Sequence, residues 1–156
     1  MRKGIVSLLL ATAACLLAAN AQAIGKTGFT AYGTYWNGDD SGYGYGVKAT
    51  KSLLDILFAD ARIGYLNFND SDTEVIPLEA SINVGLPGVI TPYAGVGAGY
   101  YFIDGPMGNN AAGYFGQIGV EISIAMFGVL AEVRYHDLAE NAFDGPSASL
   151  GILLKF

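Results

Sequence analysis

The chain has 156 residues, a formal net charge of −6, 52% hydrophobic and only 14% charged residues, with 22 glycines, 10 tyrosines and one cysteine. A lone thiol excludes a disulfide framework and a cysteine-rich metal cluster, and the acidic balance supplies no basic surface for nucleic acid. Beyond the first two dozen residues there is no apolar run near the ~20 residues that a membrane helix needs, so the hydrophobic residues are spread at intervals.

At the N-terminus, Arg2 and Lys3 precede an apolar stretch from Ile5 to Ala19, and small residues follow as far as Ala21-Gln22-Ala23. This order reads as a secretory signal peptide, residues 1–23, cut after Ala23. A transmembrane helix is the alternative, but the stretch is short for one. Cys15, with Ala13 and Ala14 before it, allows a second alternative, lipid attachment at the thiol. Removal of the signal would take the only thiol with it. Residues 24–156 then form one domain.

From Thr27 onward the interval between apolar residues is two, the period of a strand with two unlike faces. Glycine and tyrosine dilute the pattern over Thr27–Trp36, Gly42–Thr50, Ile56–Asn67 and Ile90–Phe102. It is clean over Ile76–Leu86, where Ile76, Leu78, Ala80, Ile82 and Val84 alternate with Pro77, Glu79, Ser81 and Asn83. Gln117–Ile124, Val129–His136 and Ser149–Phe156 repeat it. Eight strands are expected, an even number as single-chain bacterial barrels have.

The polar faces carry Gly, Ser, Thr and Tyr with few charges. A soluble barrel or sandwich would turn such faces to water and charge them richly. A narrow enclosed lumen suits them better, with the apolar face turned to lipid.

Connections alternate in length. Short ones are expected near Lys51–Asp55, Leu86–Val89 and Ala125–Gly128, and longer ones near Asn37–Gly42, Phe68–Glu74, Ile103–Gly113 and Asp137–Ser147. Short periplasmic turns and long external loops are the outer-membrane pattern. The long segments hold Asp39, Asp40, Asp70, Asp72, Glu74, Asp104, Asp137, Glu140 and Asp144 and no lysine or arginine. Lys26, Lys48, Lys51 and Lys155 are expected near the periplasmic end. Tyr43, Tyr45, Tyr93, Tyr100, Tyr101, Tyr114 and Tyr135 are expected towards strand ends, as interfacial girdles.

On this architecture, on TPYAGVGAGYYF from Thr91 to Phe102 and on the alternating Ser149–Phe156 with its terminal phenylalanine, the chain resembles the small eight-stranded outer-membrane proteins. That porin-like superfamily includes the OmpA transmembrane domain, OmpX and the opacity-type adhesins. The resemblance implies an all-β, antiparallel up-and-down transmembrane barrel in a Gram-negative outer membrane, surrounded by lipid and lipopolysaccharide. It also implies insertion by the barrel assembly machinery through a signal ending at Phe156. A monomer without cofactor, metal centre or enzymatic activity is expected, and with no periplasmic domain after Phe156 the wall-tethering role of full-length OmpA is not.

The candidate lumenal site is Arg62, Glu79, Glu121, Glu132 and Arg134. A loop centred between Asp70 and Ser71 sets Arg62 opposite Glu79. Across the Ala125–Gly128 turn two registers are open: one sets Arg134 against Glu121, the other sets Glu132 against Glu121 with Arg134 diagonal. By the resemblance such a network would act as a salt-bridge gate; otherwise it is a static plug, since eight strands leave room for little more than side chains. His136, beside Asp137 and Glu140, is the sole histidine. Some eight-stranded barrels are lipid A deacylases with a serine–histidine pair, but the nearest downstream serines here are Ser147 and Ser149. The carboxylates of Asp39-Asp40 and Asp70–Glu74 offer oxygen ligands for divalent cations, with no EF-hand spacing.

Overall fold

The computed structural model describes residues 27–38, 40–69, 71–106, 109–139 and 144–156. The expected signal peptide with Cys15 lies outside them, as do Lys26, Asp39, Asp70 and Glu140. The strands are β1 (Thr27–Asn37), β2 (Ser41–Ser52), β3 (Leu57–Phe68), β4 (Thr73–Gly85), β5 (Ile90–Asp104), β6 (Ala111–Ile124), β7 (Phe127–Leu138) and β8 (Gly145–Lys155). Each is antiparallel to its neighbours in sequence, and β1 closes on β8, with Tyr32 opposite Gly151. Closure leaves no free edge to recruit another strand.

The period-two pattern becomes an inside and an outside. Ile118, Val96, Leu150 and Ile152 point outward and are 63–72% exposed. Glu79, Ser81, Asn83, Gln117, Glu132 and Arg134 point inward and are buried. This is the reverse of a water-soluble barrel. An apolar belt around the whole circumference far exceeds the few hundred Å² a soluble monomer exposes, and hydrocarbon is the medium that fits it. Tyr43, Tyr45, Tyr100, Tyr114 and Tyr135 face outward at the end carrying the four loops, with Tyr35 and Tyr43 packed at 5.0 Å between ring centroids. Tyr93 and Tyr101 depart from the girdle expectation: odd positions of β5 face inward, and both rings are buried in the lumen.

The strands run further than the sequence predicts, so the loops shrink to residues 38–40, 69–72, 105–110 and 139–144, against turns at 53–56, 86–89 and 125–126. The contrast in length is thus milder than expected, while the contrast in charge remains. The β6–β7 turn is only Ala125-Met126, closed by the pair Ile124–Phe127, and Ala125 takes a left-handed φ of 54°. Two-residue hairpins require such a conformation, but no Gly or Asn announces it here. The glycine that the sequence places in the turn, Gly128, belongs to β7, where a Cβ would come 2.7 Å from the Ile122 carbonyl oxygen.

Inside, two apolar clusters bracket a polar middle. Trp36, Leu66, Phe68, Val75, Tyr101, Ala111 and Leu138 fill the loop end; Phe58, Tyr93 and Leu130 pack nearer the turn end.

Candidate functional site

The middle of the lumen is a band of charge. Asp60 and Arg62 are two residues apart on β3 and so share its inner face. Lys48 opposes Arg62 on β2, and Glu79 opposes it on β4. Glu132 and Arg134 enter from β7, across the barrel. Three cations, Lys48, Arg62 and Arg134, thus meet three carboxylates, Asp60, Glu79 and Glu132.

The hydrogen bonds cross the lumen instead of following the ladder. Arg62 Nη1 and Nη2 donate to the two oxygens of Glu132 at 2.5 and 3.3 Å, a forked arrangement matched to the carboxylate. Arg62 Nη2 also donates to Gln117 Oε1 at 3.1 Å and to Asp60 at 3.4 Å. Glu79, although opposite Arg62, accepts from Arg134 Nη1 at 2.5 Å and from the Tyr101 hydroxyl at 2.8 Å. Arg62 Nε stays 3.9 Å from Glu79, an ion pair without a hydrogen bond. Arg134 Nε lies 3.3 Å from Glu132. Each arginine therefore touches both glutamates, holding one tightly and one loosely.

Neutral groups complete the band. The Tyr93 hydroxyl donates to Glu132 at 2.6 Å. Asp60 accepts from Thr50, Ser81 and Asn83 at 2.7, 3.3 and 3.0 Å, and Gln117 donates to Ser81 at 3.0 Å and to Asn83. Lys48 Nζ lies 3.7 Å from both Asp60 and Glu132 and 5.5 Å from the centroid of the Tyr93 ring. Unpaired buried charges are strongly unfavourable; here every one has a counter-charge within 4 Å. Space comes from β5, whose inward positions between Tyr93 and Tyr101 are Gly95, Gly97 and Gly99. A Cβ on Gly97 would collide with the Phe115 ring and approach the Ala80 carbonyl oxygen to 2.5 Å.

Of the expected site residues, Arg62, Glu79, Glu132 and Arg134 come together and Glu121 does not. With the two-residue turn, Glu121 opposes Leu130 and Arg134 opposes Gln117, so both expected β6–β7 registers are corrected. Glu121 binds Lys155 instead, at 2.8 Å, nearer the turn end. Both expected registers were displaced by an even number of residues, so the face assignments hold while the partners change. Lys48, Asp60, Tyr93, Tyr101 and Gln117 were missed. Lys48 and Asp60 share the parity of Arg62 on their ladder, and that signal was available.

His136 lies above the band. Its Nε2 is 3.0 Å from Ser147 Oγ, its Nδ1 is 3.1 Å from the Tyr101 hydroxyl and 3.6 Å from Glu79, and its ring stacks on Trp36 at 3.9 Å. Serine, histidine and carboxylate thus stand in the order of a hydrolase triad. Ser147 is only 2% exposed and His136 fully buried, roofed by the apolar cluster at the loop end. Among the described residues no group of three or more His, Cys, Asp or Glu could hold a metal ion.

An inverted barrel with a charged, plugged lumen is the architecture of the small transmembrane β-barrels. Neither a protein-family model nor a curated sequence relative matches the chain. Solved structures do. The outer-membrane protein OprG from Pseudomonas aeruginosa matches with a TM-score of 0.69 and 14% identity, over 85% of this chain and 96% of that one. Neisserial surface protein A matches with a TM-score of 0.64 and 14% identity, over 83% and 94%. A de novo designed transmembrane β-barrel matches at 0.55 and 15% identity, over 86% and 98%. Because a designed barrel is among the matches, the likeness speaks for fold alone. By fold, the chain is an eight-stranded β-barrel of the kind found in outer membranes.

Proposed function

We propose that this is a closed, non-catalytic barrel of the outer membrane that serves envelope structure and presents four loops, three of them acidic, at the cell surface. The observation that carries the reading is the lumen. Its charges are matched in number and held within 4 Å of one another, and apolar clusters lie on both sides of them. An eight-stranded interior has little volume beyond its side chains. Burial of Ser147 and His136 favours a structural role for that pair. The described parts of the loops carry Asp40, Asp72 and Asp144 and no lysine or arginine, and Asp104 and Asp137 stand at the adjoining strand ends. The exposed carboxylates of Asp72, Asp104 and Asp137 suit divalent-cation bridging to lipopolysaccharide phosphates.

The test is conductance of the refolded protein in a planar bilayer, where a closed barrel gives no discrete openings. Regular openings in the unaltered protein would overturn the reading. They would favour a second one, a narrow gated channel for water, ions or small solutes. One observation supports it: Arg62 and Arg134 each have a second glutamate, at 3.9 and 3.3 Å, with which to exchange partners. In that case Glu132→Gln would change the open fraction. The surface role predicts that cells bearing Asp72→Asn, Asp104→Asn and Asp137→Asn together adsorb less cationic cytochrome c than cells with the unaltered protein.

A further inference from the structure

The short-turn end of the barrel is unusually apolar. Leu53, Leu54 and Ile56 crown the β2–β3 turn, Leu86 and Val89 the β4–β5 turn, and Met126 the β6–β7 turn, all about half exposed or more. Phe127 and Phe156 add aromatic rings at the same level, 61% and 65% exposed. Asp55 is the one carboxylate in these turns. Turns that project into water are normally built of Gly, Asn, Asp and Ser. The four loops at the other end, three with aspartate and one with glycine and asparagine, obey that rule.

The backbone of these turns is also cared for. The Val89 carbonyl accepts from Ser123 N at 2.8 Å, the Met126 carbonyl from Lys155 N at 2.9 Å and the Ile56 carbonyl from Gly85 N at 2.9 Å. Within the first turn, Leu53 N and Leu54 N donate to the Leu57 carbonyl at 2.9 and 3.0 Å. The Gly88 carbonyl accepts from the Thr91 hydroxyl at 3.1 Å. Each turn thus ties itself to the next strand or to itself and relies less on water. Irregular backbone survives near hydrocarbon only where it is satisfied internally.

Length supplies a third, independent argument. On β6 the outward residues run from Tyr114, in the tyrosine girdle, to Ile124 at the turn. Ten residues at ~3.4 Å each, tilted by about 40°, give a vertical span of roughly 26 Å. The apolar band of such barrels is about 25 Å tall. With the girdle at one interface, the turns fall at the other, with no length left over.

We infer that the short-turn end is a lipid-contact surface: the three turns sit within the phospholipid interface of the membrane and do not project beyond it. Their apolar tips continue the belt, as Ile124 and Phe127 continue the outward rows of β6 and β7. Lys51 lies at the same level, where lipid phosphates would be found. On the orientation proposed above this is the inner leaflet, but the inference itself does not depend on which way the barrel faces.

The test uses the protein refolded into phosphatidylcholine vesicles, with Cys15→Ala and a single cysteine at Leu54, Val89 or Met126 carrying an environment-sensitive fluorophore. Labels at Ile122 and Asp137 serve as belt and water standards. All three turn labels should emit near the Ile122 standard, and spin-labelled lipid should quench them at least twofold more than aqueous iodide does. Emission and quenching like those at Asp137 would overturn the inference and leave the tips free for a protein partner. The unaltered protein gives a check without substitution. In vesicles doped with a phospholipid carrying a diazirine at the glycerol end of its acyl chain, photolysis should place adducts on residues 53–56, 86–89 and 126. Adducts confined to the strand interiors would count against it equally.

Discussion

Arg62→Met removes the most connected cation of the lumen. It deletes two charge-assisted bonds to Glu132 and one each to Gln117 and Asp60. Loss of one member of a buried ion pair costs about 3–5 kcal/mol, because the other is stranded. Glu132 is not wholly stranded here, since Lys48 at 3.7 Å and Arg134 Nε at 3.3 Å remain. The expected loss is therefore at the low end, about 3 kcal/mol. Adding Glu132→Gln should cost little more, giving a coupling of about 2–3 kcal/mol in a double-mutant cycle. Arg62 with Glu79→Gln should couple by less than about 1 kcal/mol, because a 3.9 Å contact without a hydrogen bond joins them. Trp36, the only tryptophan, stacks on His136 in the plug and reports unfolding directly in urea titrations of the vesicle-bound protein. A coupling of Arg62 with Glu79 equal to or above that with Glu132 would refute the cross-lumen pairing.

Other outcomes follow from packing and from the medium. Gly97→Ala should destabilise by about 1–3 kcal/mol, since its Cβ meets the Phe115 ring and the Ala80 carbonyl, whereas Gly116→Ala, with nothing within 4 Å of its Cβ, should be nearly neutral in the same titration. Ile122→Arg on the lipid face should oppose insertion by about 2–4 kcal/mol if it lies near the midplane, and the lumenal Ser123→Arg by less; equal folding yields in vesicles would undo the face assignment. The folded barrel should migrate faster than the boiled chain in detergent gels, and a single mobility under both conditions would count against a closed barrel.

Parity was the most legible property of the chain. Ile76 to Val84 outward and Pro77 to Asn83 inward can be read from the letters because a strand alternates faces without exception. Position along the partner strand was less legible. It depends on how many residues a turn uses, and Ala125-Met126 carries no turn signature. The Arg62–Glu79 ladder opposition was predictable, since Asp70 and Ser71 mark the loop centre. Their separation in the bonding scheme was not. Which charge grips which depends on distances across a closed circle, and no local pattern encodes the approach of β7 to β3. The tyrosines divide the same way: Tyr114 and Tyr135 fall where an interface girdle is expected, whereas Tyr93 and Tyr101 needed only their odd numbers on β5 to be placed inside.

The opposition of Lys48 to Arg62 bears on how the barrel is built. In a sheet that has reached only β4, two cations face each other and Glu79 is the sole carboxylate directly opposite either of them. Glu132 arrives with β7 and draws Arg62 across the lumen, while Arg134 from the same strand takes over Glu79. The ion pairs therefore tie the penultimate strand to β3 and β4 across the lumen. A sheet of β1 to β4 alone lacks both Glu132 and Arg134, so the cross-lumen pairs exist only once β7 is in place.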